Sequence, residues 1–296
     1  MKLSDFFKEK TVRDSEFIVL GLLESRPNKK MLTFIDDESY LDTLLKNSDI
    51  SGVFIKPELE SVILEKTSIG IVVTDNPRLE YFNFHNELSK NGNYMRNNFK
   101  TMIGDNSKIS SHAFIESNNV VIGKNVIVEE FVSIKENTVI GDNCVIRSGS
   151  VIGGTGFEFK RTEDSVIPIV HSGGVVIGNC VEIQHNSCID KAVYPWDNTL
   201  VGDYSKIDNL VHIGHAVKIK NKVMVTAMSV IGGRTIIEDN AWIGIGSVIR
   251  NGLKIGKSAR VNMGSVVTKN VDDFQSVSGN FAIDHKKFIK KMKEGN

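Results

Sequence analysis

Cysteine is scarce: Cys144, Cys180 and Cys188 are the three among 296 residues, too few and odd in number for a disulfide framework. They fall inside the repeat described below, where a small buried thiol packs well. Charge of one sign is lacking too. The 36 basic residues balance 36 acidic ones, which leaves no electrostatic footprint for nucleic acid. Hydrophobic residues make up 41% of the chain, yet no apolar run approaches the roughly 20 residues of a membrane span. The start, Met1-Lys2-Leu3-Ser4-Asp5-Phe6, lacks the apolar core of a signal peptide. A cytoplasmic protein without disulfides is expected.

What the chain does have is a period of six. Val201, Ile207, Ile213, Ile219, Val225, Ile231, Ile237, Ile243, Ile249, Ile255, Val261 and Val267 follow one another at that spacing without a slip. The phase also runs through Ile103, Ile109 and Ile115, shifts by one to Ile122, Val128, Ile134, Ile140, Ile146 and Ile152, and resumes at Ile177, Ile183 and Ile189. Six fits neither a helix nor a two-residue alternation, and it signals a solenoid whose short strands are buried only by stacking. Glycine often follows the aliphatic residue (Gly202, Gly214, Gly232, Gly244), as expected where a backbone turns a corner. A small or β-branched residue commonly stands four places after it, as at Ser187, Ser205, Thr235 and Ser247. This is the hexapeptide repeat, which implies a left-handed parallel β-helix of triangular coils of roughly 18 residues each. Gly153 to Val175 and Lys191 to Leu200, the latter with Tyr194-Pro195-Trp196, interrupt the pattern. They read as excursions, the kind of loop on which sites are built.

Residues 1–100 lack the period. Gly52-Val53-Phe54-Ile55 and Ile69 to Val73 read as buried strands, and Tyr40 to Asn47 and Leu79 to Leu88 as helices. Asn76-Pro77 marks a helix entry. The expected architecture is an α/β domain over 1–100, a left-handed β-helix over 101–273, and a C-terminal segment over 274–296. That last segment holds one basic α-helix, Phe281 to Lys293, expected to close the solenoid.

Ile152-Gly-Gly-Thr-Gly-Phe-Glu-Phe159, Ile189-Asp190-Lys191 and Ile207-Asp-Asn-Leu-Val-His-Ile-Gly-His215 occur in that order. This series resembles the UDP-3-O-acylglucosamine N-acyltransferase family of lipid A biosynthesis. Leu32-Thr33-Phe34 with Tyr40, and Asn76-Pro77 leading to Leu79 and Tyr81, extend the resemblance into the amino-terminal domain. It implies a homotrimer with active sites between neighbouring β-helices, and a nucleotide-binding role for residues 1–100, with the base stacked by Phe34 and Tyr40. Beyond residue 255, Asn262-Met-Gly-Ser-Val-Val-Thr-Lys-Asn-Val271 and Val277-Ser-Gly-Asn-Phe-Ala282 are similar instead to the ending of coenzyme A-dependent hexapeptide acetyltransferases. There Thr268 and Lys269 would meet the pantetheine and phosphates. Gly252 stands where the lipid A family has a further active-site histidine, and Asp37 where it has an asparagine that reads the uracil edge. The combination resembles enzymes that acylate dTDP-linked 4-amino-4,6-dideoxy sugars such as dTDP-4-amino-4,6-dideoxyglucose. The expected reaction is therefore N-acylation of a dTDP- or UDP-linked amino sugar for surface glycans, with acyl-CoA as co-substrate and no bound cofactor. The lipid A reaction itself, with acyl carrier protein as donor, is the alternative.

The chemistry centres on His215, in the third slot of its hexapeptide at a corner expected to face solvent. Acyl transfer to an amine needs a base, and an imidazole accepts a proton at neutral pH. Gly233 stands eighteen residues on, one coil along in the same slot. Its N–H is placed to stabilise the oxyanion of the thioester carbonyl, although a glycine there could merely turn the corner. By alignment with the family, Asp208 and Asn209 are expected to orient His215 or bind sugar. Asp190 and His185 are candidates for nucleotide-sugar binding, His185 from a neighbouring subunit, and Asp37 for the pyrimidine N3–H. Gly252, Thr268 and Lys269 are the candidate coenzyme A contacts. His212, in an outward sixth slot, reads as unremarkable, and Phe34 and Tyr40 would by composition alone be core aromatics. A zinc hydratase of the γ-carbonic anhydrase kind uses the same solenoid with three histidines, so His185, His212 and His215 make it a rival. No metal is expected here, because that reading leaves the amino-terminal domain unexplained.

Overall fold

A computed structural model describes residues 1–92, 94–279 and 284–294. In it the six-residue period becomes a ladder. Each aliphatic residue ends a short strand, and successive coils pair in register: Ile189 with Ile213, Ile213 with Ile231, Ile231 with Ile249, and Ile249 with Val267. Among the described residues the strands stack into three parallel sheets of nine, eight and eight strands. These are the walls of a left-handed parallel β-helix. The aliphatic side chains fill it as one continuous core from Val120 to Val271, each contributing about 1.5–3 kcal/mol relative to an exposed position. Ile103, in the first coil, is the exception and stays exposed.

Along most of the solenoid the small residue four places after the aliphatic is buried, and its hydroxyl bonds the next coil. Ser205 Oγ donates to Lys220 O at 2.9 Å, and Ser187 Oγ to Asp208 O at 2.7 Å. Such bonds tie neighbouring coils and satisfy these buried hydroxyls, whereas Thr138 Oγ1, four places after Ile134, is buried without a partner among the described residues. Cys144 is buried as expected, whereas Cys180 is half-buried and Cys188 exposed.

The corners differ from their expected chemistry. The left-handed residue sits two places after the glycine, and it is seldom glycine: Tyr204, Leu210, Ala216, Lys222, Met228, Arg234 and Asn240 all have φ between 56° and 62°. The glycine that follows the aliphatic is needed for close approach instead. A Cβ on Gly202 would stand 2.6 Å from the carbonyl carbon of Lys220, and one on Gly214 2.8 Å from the nitrogen of Gly233. At Gly202 and Gly214 the backbone of the next coil passes within reach of any Cβ, although other coils carry a side chain in this slot, as at Asp208, Lys220 and Arg250.

The chain divides into two compact units. One comprises Met1–Phe99, Thr155–Gly174 and Lys191–Asn198; the other comprises Lys100–Gly154, Val175–Asp190 and Thr199–Asn296. The first unit is built on a sheet of β1 (Thr11–Arg13), β2 (Val19–Leu20), β3 (Met31–Phe34), β4 (Ile50–Ile55) and β5 (Gly70–Val73), in the order β1-β5-β4-β3-β2. Only β1 runs antiparallel to its neighbour. A sheet of this kind is covered on both faces, and it has two cores. Phe54, Val72 and Leu32 pack with Tyr81, Phe82 and Phe84 of α4 (Pro77–Leu88). Val53, Ile55 and Ile71 pack with Leu41 and Leu44 of α2 (Leu41–Leu45) and Ile63 of α3 (Glu60–Lys66). The short α1 (Ser4–Phe7) precedes them. Both excursions belong to this unit: Ile169, Val193 and Tyr194 join the first core, and Tyr81 Oη donates to Tyr194 Oη at 2.9 Å. The first excursion forms a hairpin, Phe159–Arg161 against Val166–Pro168. The second ends earlier than expected, because a strand already begins at Asn198.

At the C-terminus α5 spans His285–Glu294. Ile289 and Met292 on it are exposed, and the side chain of Phe288 lies outside the described residues. Phe281 and Ile283 lie outside the described residues. Among the described residues no helix is long and apolar enough to cross a membrane.

The division of labour at the corners is testable by thermal denaturation. Gly202→Ala should cost about 1–3 kcal/mol through backbone overlap. Lys222→Gly, at a left-handed position that an L-residue occupies with strain, should be neutral or stabilising by up to about 1 kcal/mol. If both variants lose stability equally, close approach is not the reason for the glycine.

Candidate active site

The in-register ladder lines up one corner of the solenoid as a column: Asp190 after Ile189, Gly214-His215 after Ile213, Gly232-Gly233 after Ile231, Arg250-Asn251 after Ile249, and Thr268-Lys269 after Val267. His215 does not face solvent as its slot suggests; the residue is 8% exposed. Its backbone is pinned from both sides. Arg234 N donates to His215 O at 2.9 Å, while Ala216 N donates to Thr199 Oγ1 at 2.8 Å, and that hydroxyl donates to Asp190 O at 2.6 Å.

Gly233 lies against the imidazole. A Cβ built on it would stand 2.8 Å from His215 Nε2 and 3.0 Å from Cε1. Corner geometry does not require this glycine, because the left-handed residue of its turn is Arg234, with φ 62°. The carbonyl of Gly233 accepts from Gly252 N at 3.0 Å, whereas its N–H makes no hydrogen bond among the described residues. Along another corner Asp142 N donates to Asn179 Oδ1, Asn179 N to Asp203 Oδ1, Asp203 N to Asn221 Oδ1, and Asn221 N to Asp239 Oδ1, all at 2.7–2.9 Å. That Asp/Asn column, 18 residues apart through its later members, is a signal the sequence carries. No such column runs along the corner of His215, where the same slot holds His215, Gly233, Asn251 and Lys269.

Asp190 is buried at 9% exposure, and its carboxylate stands 3.7 Å from His212 Nε2. Burial pushes its carboxyl above the usual range, and the His212 imidazole pulls the other way. His212, unremarkable in sequence, is thus the partner of a buried acid. Asp208, Asn209 and His185 cluster instead on the corner after Ile207. Asp208 Oδ2 accepts from Ala227 N at 3.0 Å and Oδ1 from Asn209 Nδ2 at 2.9 Å, while Asn209 Oδ1 lies 3.0 Å from His185 Nδ1. Within one chain none of these three bonds to His215. Among the described residues no group of three His, Cys, Asp or Glu could hold a metal ion, and His185, His212 and His215 do not converge.

Thr268 and Lys269 are exposed, three coils along the column from His215, or roughly 14 Å at about 4.8 Å per coil. Gly252 has φ +72°, with open space where a Cβ would be. In the first unit Phe34 is half-buried, its ring 5.0 Å from that of Tyr81. Tyr40 is exposed rather than a core residue. Asp37 caps the short turn Glu38–Tyr40 through Ser39 N at 2.9 Å, and its hydrogen bonds from Ser39 hold its carboxyl below the usual range. Arg78, which sequence reasoning passed over, sits above Phe34 with its guanidinium carbon 5.6 Å from the ring centre.

Fold and column together define a hexapeptide-repeat transferase, and residues 119–154 and 234–269 match the family described as bacterial transferase hexapeptide (six repeats). The chain belongs more narrowly to the UDP-3-O-acylglucosamine N-acyltransferase family. It is 38% identical over 275 residues to the Helicobacter hepaticus protein of that name, covering 87% of this chain and 82% of that one. Matches in Delftia acidovorans (31% over 137 residues) and Francisella tularensis (45% over 84 residues) cover 46% and 28% of this chain. They span only 40% and 24% of those relatives' length. Among solved structures, the UDP-N-acetylglucosamine acyltransferases of Arabidopsis (TM-score 0.54, 24% identity, 61% of this chain and 62% of that one) and Campylobacter jejuni (TM-score 0.54, 20% identity, 65% and 78%) share the fold.

The buried acid has a measurable signature. A carboxyl whose folded pKa lies above its unfolded value of about 3.9 binds its proton more tightly when folded. Its contribution is therefore most favourable at acid pH and falls as pH rises through the raised value. Asp190→Asn removes that fall, so the variant should melt above the parent at about pH 8 and lose the advantage below about pH 4. A parent that melts above the variant at about pH 8 would overturn the upward shift of the Asp190 carboxyl.

Proposed function

We propose that the protein transfers an acyl group from a thioester to the amine of a nucleotide-linked amino sugar. The observation that carries this reading is Gly233: no corner geometry demands it, it lies against the His215 imidazole, and its N–H is uncapped. His215 accepts the proton that the attacking amine sheds as its nitrogen bonds to the thioester carbonyl carbon. The carbonyl oxygen becomes an oxyanion that the Gly233 N–H is placed to meet. As the tetrahedral intermediate collapses, the carbon–sulfur bond breaks and the imidazolium returns its proton to the leaving thiolate. Amide and free thiol result, and His215 is neutral again. Water is kept from the base by its burial.

Asp190 is the sugar-binding acid of this column. Asp208, Asn209 and His185 reach a site only across a subunit boundary, which fits a homotrimer. Supporting it, Leu210, Met228, Ile245 and Met263 form an exposed apolar row along their corner, beside exposed Val230, Val248 and Val266. A continuous apolar row of this kind marks a protein-binding surface, and repetition in identical copies is the usual way to cover one. Phe34, Tyr40 and Asp37 are assigned to the nucleotide base.

Family membership favours UDP-3-O-acylglucosamine as acceptor and acyl carrier protein as donor. A second reading, acyl-CoA with a dTDP-linked amino sugar, is favoured by Thr268 and Lys269. They stand exposed on the column of His215 at a distance a pantetheine arm can span. Mass spectrometry of reactions pairing acyl-CoA or acyl carrier protein with each amino sugar separates the two, and absence of an N-acylated product in every pairing overturns both. In the productive pairing, His215→Ala should lower kcat by about 10²–10⁴-fold. Gly233→Ala keeps the N–H but drives a methyl into the imidazole, so kcat should fall by about 10²-fold in a protein that still folds. Undiminished turnover in either variant excludes the mechanism.

A further inference from the structure

We propose that Arg78 is a preorganised fork for the phosphates of the nucleotide-linked substrate, an assignment that rests on the nucleotide-sugar reading above. Three features hold the guanidinium in one place. Arg78 is the second residue of α4, next to Pro77 in the first turn, where Asn76 Oδ1 caps the N–H of Leu79 at 3.1 Å. Its Nε donates to Asp36 Oδ2 at 2.9 Å. Its guanidinium carbon lies 5.6 Å from the centre of the Phe34 ring, within the range of a cation–π contact.

An exposed arginine ordinarily samples many rotamers, and contacts at one edge and over one face remove that freedom. The tether uses Nε alone. Of the five N–H donors of a guanidinium, the four on Nη1 and Nη2 make no hydrogen bond among the described residues. The side chain is 53% exposed, against 25% for Asp36, so the unused edge is open to solvent. A fixed, planar, doubly donating edge matches two oxygens of one phosphate, the geometry for which arginine is suited and lysine is not. The neighbouring charges support this assignment. Asp36 faces the other edge of the group, Asp37 is occupied by Ser39, and Lys56 pairs loosely with Glu58 at 3.8 Å. The positive end of α4 adds to the field at Arg78. Phe34 thereby has two roles, one toward the base and one beneath the guanidinium.

Calorimetric titration of the full chain with UDP, dTDP, uridine and thymidine tests this, using the wild type, Arg78→Gln and Arg78→Lys, with melting curves as a check of folding. Arg78→Gln should weaken the diphosphate that binds best by at least tenfold while leaving its nucleoside within twofold. Arg78→Lys should recover only part of the loss. Equal diphosphate affinity in Arg78→Gln overturns the assignment and leaves the nucleotide reading standing. Parallel loss of nucleoside and diphosphate overturns it in favour of a role in supporting Phe34. Failure of the wild type to bind either diphosphate removes the nucleotide reading and this assignment with it.

Discussion

Each coil of the solenoid buries its aliphatic residues only because the next coil repeats them in register, Ile213 on Ile231 on Ile249. That stacking is one-dimensional, so every residue is fixed by its place along a single axis. A slip of one residue would turn the inward side chains outward, and the penalty, repeated at every coil, locks the register. The corners inherit this precision. His215 and Gly233 sit on adjacent turns of the same corner, so their separation is set by the ladder and not by the conformation of a loop. Reactive groups borne on a rigid repeat need little further support to hold their geometry.

The same ladder explains why a reactive corner must break a local rule. Where Asn179, Asp203, Asn221 and Asp239 follow one another, each side chain closes the N–H one coil below. A closed N–H has nothing left for a substrate. At His215 the corresponding residue one coil on is Gly233, which supplies no side chain and leaves room for the imidazole. Asn251, one coil further, makes no bond to the Gly233 N–H among the described residues. Stability from capping is given up at this corner and retained along the corner of Asn179 to Asp239, a pattern typical of functional sites.

How much of this could be read from the chain follows from the same geometry. Burial in a β-helix shows up as a period, so the solenoid, its excursions, and the pairing of His215 with Gly233 were legible by counting. The left-handed corner slot was not, because the ladder imposes that conformation on Leu210, Met228 and Lys222 alike, and residue type no longer reports φ. Counting also fails across an excursion. Cys188 pairs with His212, 24 residues on, because Lys191–Asn198 leaves the solenoid between them. His212 therefore looked like an isolated outward residue when it is the partner of Asp190. Arg78 and Asp36 are 42 residues apart on elements without any period, and only the folded sheet brings them together. Tyr40 reads as core by composition, yet a three-residue turn capped by Asp37 holds it at the surface.

The second excursion begins beside Asp190 and ends beside Thr199, and these two ends are joined by the bond from Thr199 Oγ1 to Asp190 O. The same hydroxyl accepts the N–H of Ala216, the residue after His215. One buried threonine thus closes the base of an eight-residue departure and fixes the turn that carries the imidazole. This allows Lys191–Asn198 to contribute Val193 and Tyr194 to a different core without loosening the column it leaves. An insertion into a solenoid ordinarily disturbs the coils around it. With its ends tied by an internal hydrogen bond, this one is isolated from the ladder, and the corner below it can hold a buried acid and a base on adjacent coils.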